Sequence, residues 1–334
     1  MRAFRSLLVA LVIGIGAAAG LAAWWLQRPL TLTADSVELS VEPGQSPRDI
    51  AQAWVKAGVR TSPLLLYEWF RWSGDARKIR AGSYEIGPAT TPRGLLSKMV
   101  RGDETLAVVR LIEGWTFRQF RDELAKADSL KPATAGMSEA EIMTALGQPG
   151  VAAEGRFYPD SYAYSKGASD VAVLRRAHHA MQVRLAAAWA DRAADTPLRS
   201  PDEALTLASI VEKETGAAAD RGKVAGVFVN RLRIGMPLQT DPSVIYGLGP
   251  AFDGNLRKRD LIADTAYNTY TRSGLPPTPI SMPGKAALQA TLRPDPTRAI
   301  YFVARGDGSS EFSETLAAHN RAVNQFQRNK PSGK

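Results

Sequence analysis

Two glutamates close an apolar stretch in the middle of the chain, Ala204-Leu-Thr-Leu-Ala-Ser-Ile-Val-Glu212-Lys-Glu214-Thr-Gly216. On a helix, the residues sharing a face with Glu214 are Leu207, Ile210 and Val211, whereas Glu212 follows Leu205, Ala208 and Ser209. The spacing therefore predicts that Glu214 extends the core-facing stripe and that Glu212 lies away from it. A carboxylate on an apolar face is desolvated, which favours its neutral form. The negative end of the helix dipole disfavours ionisation in the last turn as well. Both effects prepare a carboxylic acid that donates a proton near neutral pH. Spacing alone slightly favours the plainer alternative, a structural Glu214 paired with Lys213 or a nearby arginine.

Other chemistries find little footing. The chain has no cysteine, which removes thiol nucleophiles, thiolate metal sites and a disulfide framework. Its three histidines, His178, His179 and His319, are scattered and form no HExxH pattern, so no metal is expected. His178 and His179 fall within a helical pattern and are expected at the surface. No Walker A or GxSxG motif is present, and no cofactor is expected.

The elements that must position Glu214 follow from periodicity and turn chemistry. Leu7 to Leu26 carries no charge and has the roughly twenty residues a helix needs to cross a bilayer. Arg2 and Arg5 precede it, Trp24 and Trp25 lie near its far end, and Arg28 follows. This pattern predicts an uncleaved anchor with a cytoplasmic N-terminus; a cleaved signal peptide is the alternative. A net charge of +9 and a pI near 9.8 suit anionic partners without choosing among them, and an exported chain argues against nucleic acid. Beyond the anchor, a strand over 36–41 and a Pro43-Gly44 turn precede a helix capped by Ser46 and closed by Gly58. A helix after Pro63, a strand over 82–86 and a helix opened by Thr91-Pro92 complete a small α+β unit. Its strand, turn and helix resemble the start of a LysM module.

Further on, the pattern predicts a strand over 108–112 and helices over 116–127, 139–146, 171–190, 201–215 and 221–232. A long irregular segment over 235–284 follows, then a hairpin over 300–312 turning at Gly306-Asp307-Gly308. A closing helix runs from about 313 to 328. The expected fold class is α+β: an N-terminal transmembrane helix (1–28), a linker and LysM-like domain (29–105), and a larger α+β catalytic domain (106–334).

Several long motifs occur in order: IEGWTFRQF, EGRFYPDSYAY, LASIVEKETG, VAGVFVNRLRIGMPLQTDPSVIYGLG, AYNTYTRSGLPPTPI and YFVARGDGSSEFSETLAAHN. Together they resemble the YceG-like family of endolytic murein transglycosylases. Thr278 and Met282 depart from the family's pattern within one loop. The resemblance implies a single catalytic glutamate, carried over to Glu214. It implies cleavage of the bond between N-acetylmuramic acid and N-acetylglucosamine in nascent peptidoglycan, leaving 1,6-anhydro ends and terminating glycan elongation. Substrate binding is implied for Asn230, Arg231, Gln239, Asp241, Tyr246, Tyr267, Asn268 and Tyr270, which supply the planar hydrogen bonders and aromatic faces that sugars need. Asp160 and Tyr162 are further candidates, and Glu212 and Lys213 flank the acid and can tune it. The implied partners are glycan strands, the bacterial inner membrane and peptidoglycan synthases, with the catalytic domain in the periplasm. Two alternatives stay open at this point: an anchored peptidoglycan-binding scaffold without catalysis, and a muramidase that uses water.

Overall fold

A computed structural model describes residues 2–328, a mixed α+β chain that divides into two compact units. The first comprises residues 1–108 with the short segments 128–131 and 163–168; the second holds the remainder. The first begins with α1 (Arg2–Gln27), whose Val9–Gln27 stretch is long and apolar enough to cross a membrane and is exposed up to Trp24, with Trp25 half-buried against the unit's core. Then come β1 (Thr31–Leu32), β2 (Val37–Val41), α2 (Pro47–Ala57), β3 (Val59–Arg60), α3 (Pro63–Trp72), β4 (Gly82–Ile86) and α4 (Pro92–Arg101). Strands β2 and β4 pair antiparallel, Val37 opposite Ile86 and Val41 opposite Gly82, and β1 pairs with β3. The result is a β-α-α-β arrangement. Val37 and Val41 point to one side, onto a core built around Trp54, Leu66, Phe70, Tyr84 and Met99. Local chemistry sets the helix ends as expected. The Ser46 side chain accepts from the Asp49 N–H, and Gly58 adopts φ 130° where an added Cβ would lie 2.2 Å from the Thr33 hydroxyl.

The next strand, β5 (Leu106–Arg110), pairs with β6 (Ser161–Ser165), a strand that periodicity did not disclose. Between them lie α5 (Phe117–Lys126), opened by a Thr116/Gln119 capping box, and α6 (Glu139–Ala145), opened by Ser138 and Glu141. There follow α7 (Asp170–Ala190), α8 (Pro201–Glu214), α9 (Arg221–Arg233), α10 (Asp241–Leu248), α11 (Lys258–Ile262) and α12 (Lys285–Leu292). The hairpin β7 (Tyr301–Ala304) and β8 (Ser310–Ser313), then α13 (Leu316–Val323) and a π-helical turn over Asn324–Arg328, close the described chain. The irregular segment thus contains two short α-helices and a 3-10 turn over Gly249–Ala251, and Ser313 ends a strand instead of starting the last helix.

Helix α8 is the axis of the second unit. Every residue from Ala204 to Val211 is buried, and α7, α9, α10 and α12 all pack on it. The expected division of α8 into one apolar stripe and one polar side is therefore corrected: Leu205, Ala208 and Ser209 are as buried as Leu207 and Ile210. Helix α12 escapes a periodicity reading because it has only eight residues, yet Ala287, Leu288 and Leu292 sit in the same core. His178 is likewise corrected from surface to interior. It is 7% exposed, its ring lies 5.8 Å from that of Phe157, and burial lowers its pKa; His179 is exposed. Since Leu288 fills the interior beside α8, Leu288→Ala should cost about 2–5 kcal/mol of stability, measured by urea denaturation followed by tryptophan fluorescence.

Candidate active site

Glu214 is the last residue of α8, with Thr215 as its C-cap. Burial pushes its carboxyl above the ordinary range, and the negative charge of Asp241 adds to the rise; the Thr240 hydroxyl and the Arg231 guanidinium oppose it. The helix end works in the same direction. Glu212 is also raised, chiefly by burial and then by Glu113. The two differ in what they meet. The Glu212 carboxylate accepts the Gly284 N–H at 2.9 Å, which ties α8 to the start of α12, and Lys213 Nζ donates to the Gly114 carbonyl at 3.3 Å. These contacts make both residues struts of the acid's helix. Glu214 faces side chains that can exchange protons and charge with it.

Those side chains come from the Gln239-Thr240-Asp241 turn. Gln239 is one of two non-glycine residues with positive φ among the described residues, 51°, and its side chain is exposed. Left-handed backbone at such a residue is costly and has to be held by its surroundings. Here the Gln239 N–H donates to the Thr269 carbonyl (3.0 Å), the Thr240 N–H donates to the Thr269 hydroxyl (3.0 Å), and the Ser243 hydroxyl donates to the Thr240 carbonyl (2.8 Å). The turn sends consecutive side chains to different surroundings. Thr240 is 1% exposed beside Glu214, and its hydroxyl has no partner in hydrogen-bonding geometry among the described residues. Asp241 is exposed and accepts the Tyr270 hydroxyl at 2.6 Å.

Arg231 stands behind this group, 6% exposed. Its Nε donates to the Ile300 carbonyl (2.7 Å) and its Nη1 to the Leu238 carbonyl (2.6 Å), so the guanidinium is fixed where its charge reaches Glu214. It also lies 5.5 Å from the Tyr301 ring centroid, and Tyr301 stacks on His319 at 5.1 Å. The His319 Nδ1 is buried without a hydrogen-bond partner among the described residues. Tyr301 and His319 lie in the terminal motif but were not singled out, because a stacked pair this far along the chain has no local spacing signature.

The structure brings Glu214, Arg231, Asp241 and Tyr270 together and places the other sequence candidates differently. Asn230 Nδ2 donates to the Thr297 and Ala299 carbonyls (2.9 and 3.1 Å), holding α9 to the chain before β7. Asn268 is fully buried. It staples its own loop through the Asp260, Leu261 and Ala263 carbonyls and accepts the Tyr270 N–H. Tyr162 donates to the Tyr158 carbonyl (2.7 Å), and Asp160 lies on the surface 3.8 Å from Arg184. Thr278, one of the two departures from the family pattern, pairs its hydroxyl with that of Tyr267 at 2.8 Å.

Tyr246 and Tyr267, edge to face at 4.9 Å, line a separate cavity of about 660 Å³ together with Glu154. Glu154 is 5% exposed and accepts the Phe117 N–H at 3.1 Å. Burial pushes its carboxyl up to about 7, against the Phe117 N–H and the Tyr246 hydroxyl. Sequence reasoning passed over it because no helical stripe surrounds it; the EGRFYPDSYAY motif was the available signal.

At the end of α8 a carboxyl raised by burial, a neighbouring carboxylate and a fixed guanidinium lie together on an α+β scaffold. The chain belongs to the YceG-like family, whose pattern it matches over residues 39–325. It is 47% identical over 122 residues to a protein of Bacillus subtilis named endolytic murein transglycosylase, covering 36% of this chain and 34% of that one. A Streptococcus pneumoniae D39 protein of the same name is 24% identical over 322 residues, covering 86% of this chain and 58% of the other. The chain thus spans about a third to just under three fifths of those relatives' lengths. A crystal structure of a yceG-like protein from Listeria monocytogenes aligns with a TM-score of 0.54 and 29% identity, over 86% of this chain and 99% of that one.

Glu154 generates a stability prediction. As pH rises from about 4.5 to about 7, the unfolded chain releases this proton before the folded one does. Folded stability should then fall by on the order of 3 kcal/mol across that window. Glu154→Gln keeps an acceptor for the Phe117 N–H and should flatten that part of the profile in denaturation at a series of pH values.

Proposed function

We propose that the chain is a membrane-anchored endolytic lytic transglycosylase that cuts peptidoglycan glycan strands, with Glu214 as acid and then base. The observation that carries this reading is the desolvated Glu214 carboxyl at the end of α8, set between Thr240 and Asp241. Family membership and the names of the relatives point to the same chemistry. Protonated Glu214 gives its proton to the oxygen between N-acetylmuramic acid and N-acetylglucosamine. Positive charge develops at the muramic C1, and the negative charge of Asp241 favours it. Glu214, now an anion, receives the Thr240 hydrogen bond and the Arg231 charge, then takes the proton of the muramic C6 hydroxyl as that oxygen closes on C1. One C–O bond breaks and one forms, no water is consumed, and the product is a 1,6-anhydro end.

In this reading Asp241, Tyr270 and Gln239 contact the sugar nearest the acid, Tyr246 and Tyr267 serve a more distant sugar or its substituents, and Asn230 and Asn268 hold the loops that carry them. The apolar α1 helix is the single-pass anchor, with the N-terminus cytoplasmic and the second unit periplasmic in a bacterial inner membrane. The β-α-α-β unit is LysM-like, and peptidoglycan synthases are the partners whose nascent product is cut. The nearness of Asp241 also favours a second reading, a muramidase in which this carboxylate activates water.

Glu214→Gln should lower the release of anhydro-muropeptides from purified sacculi by roughly a hundred- to ten-thousandfold. Mass spectrometry decides between the two readings: anhydro ends lack one water relative to reducing ends, and reducing ends as the product would sink the transglycosylase. Asp241→Asn removes a charge that raises the Glu214 pKa, so the alkaline limb of the pH–rate profile should move to lower pH. An unmoved limb would mean that Asp241 does not set the acid.

A further inference from the structure

Helix α3 carries two apolar faces although its own unit uses one. Leu66 and Phe70 point inward and are fully buried. Leu65, Trp69 and Trp72 form an outward stripe at i, i+4 and i+7, flanked by Leu64. Leu64, Leu65 and Trp72 are 63%, 52% and 77% exposed, so three large apolar side chains on one ten-residue helix face away from any protein core. This stripe does not stand alone. With Leu21, Trp24 and Trp25 near the end of α1, Leu65, Trp69 and Trp72 line a groove of about 700 Å³.

Glu68 is the one charged residue on the groove's wall among the described residues. It is occupied by Arg71 at 2.9 Å and by the Trp72 indole N–H at 3.1 Å. The Trp69 indole N–H is satisfied by the Pro92 carbonyl at 3.1 Å. The indoles therefore present carbon to the outside, with their polar atoms already paired. Cations sit beside them: the Arg28 guanidinium lies 4.2 Å from the Trp24 ring centroid, and Arg71 lies 5.3 Å from that of Trp72. Tryptophan faces edged by arginine suit the boundary between acyl chains and headgroups.

We infer that α3 is a second membrane element of this chain: its Leu64, Leu65 and Trp72 side chains rest in the lipid surface from which α1 emerges. The inference rests on reading α1 as a membrane span. The occupant follows from continuity. The surface of α1 is exposed from Val9 to Trp24, with Trp25 and Leu26 half-buried beyond it, and the groove walls extend that surface directly onto α3. Whatever covers α1 covers the stripe beside it. The α3 helix thereby fixes which side of the β-α-α-β unit lies against the bilayer.

The cysteine-free chain permits a direct test with the full-length protein in vesicles containing phospholipids that bear a nitroxide on the acyl chain. Single variants Leu21→Cys, Leu65→Cys, Trp72→Cys and Arg101→Cys, each labelled with an environment-sensitive fluorophore, read contact with lipid as quenching. Labels at 21, 65 and 72 should lose most of their emission, and the label at the exposed end of α4, position 101, should keep it. Quenching at 21 with positions 65 and 72 behaving like 101 would overturn the inference while leaving the span intact. An unquenched label at 21 would overturn the span, and the inference with it. Blue-shifted emission at 65 and 72 that ignores the quencher would place a second copy of the chain there and overturn the lipid assignment. Circular dichroism matching that of the parent chain shows that each variant is folded.

Discussion

The burial of α8 on every side is the constraint from which the candidate site derives. A helix packed by four others from Ala204 to Val211 brings its last turn out half-buried, so Glu214 meets a set of groups supplied by the protein as well as some solvent. The same packing requires small side chains and spent hydroxyls along the helix. Ser209 donates to the Thr206 carbonyl and accepts the Ile280 N–H, while the Ser209 carbonyl accepts the Ser281 hydroxyl. These bonds draw the loop before α12 against α8. Glu212 secures the next turn of the same contact through Gly284. The acid's position is thus fixed along the length of its helix by bonds that involve no substrate.

How much of this was legible in the sequence depends on the range of the interaction. The starts of α2 and α5 were legible because Ser46 and Thr116 act on backbone N–H groups three residues away. The facial argument that singled out Glu214 rested on a premise that packing removes. Eight successive residues without charge, Ala204 to Val211, are better read as a helix buried all round than as a stripe. Helix α12 and strand β6 were not legible: each is short, and each is held by partners distant in sequence that no periodicity encodes.

The polar residues divide in a way that composition could not foresee. Asn230 and Asn268 have the planar amides that sugars favour, yet backbone carbonyls at 2.7–3.2 Å use their donors. A buried backbone carbonyl needs a donor whatever the substrate is, and an irregular segment such as 235–284 leaves many of them. An amide in such a segment is therefore first a loop staple. Thr240 gives the contrasting signal: a buried hydroxyl without a partner among the described residues, beside a titratable group. An unpaired buried donor costs stability unless something else requires it.

In the proposed mechanism that requirement follows from the double duty of Glu214 as a lone acid. A carboxyl that first gives a proton and then takes one back needs a pKa high enough to be protonated at rest and an anion stable enough to form. Burial and Asp241 serve the first need; Thr240 and Arg231 serve the second. Thr240 and Asp241 are adjacent in the chain, and the left-handed backbone at Gln239 begins the turn that carries one inward and the other toward Tyr270. The strain at Gln239, secured by the buried Thr269 and Ser243 hydroxyls, is thus the local cost of setting opposite influences on the same carboxyl.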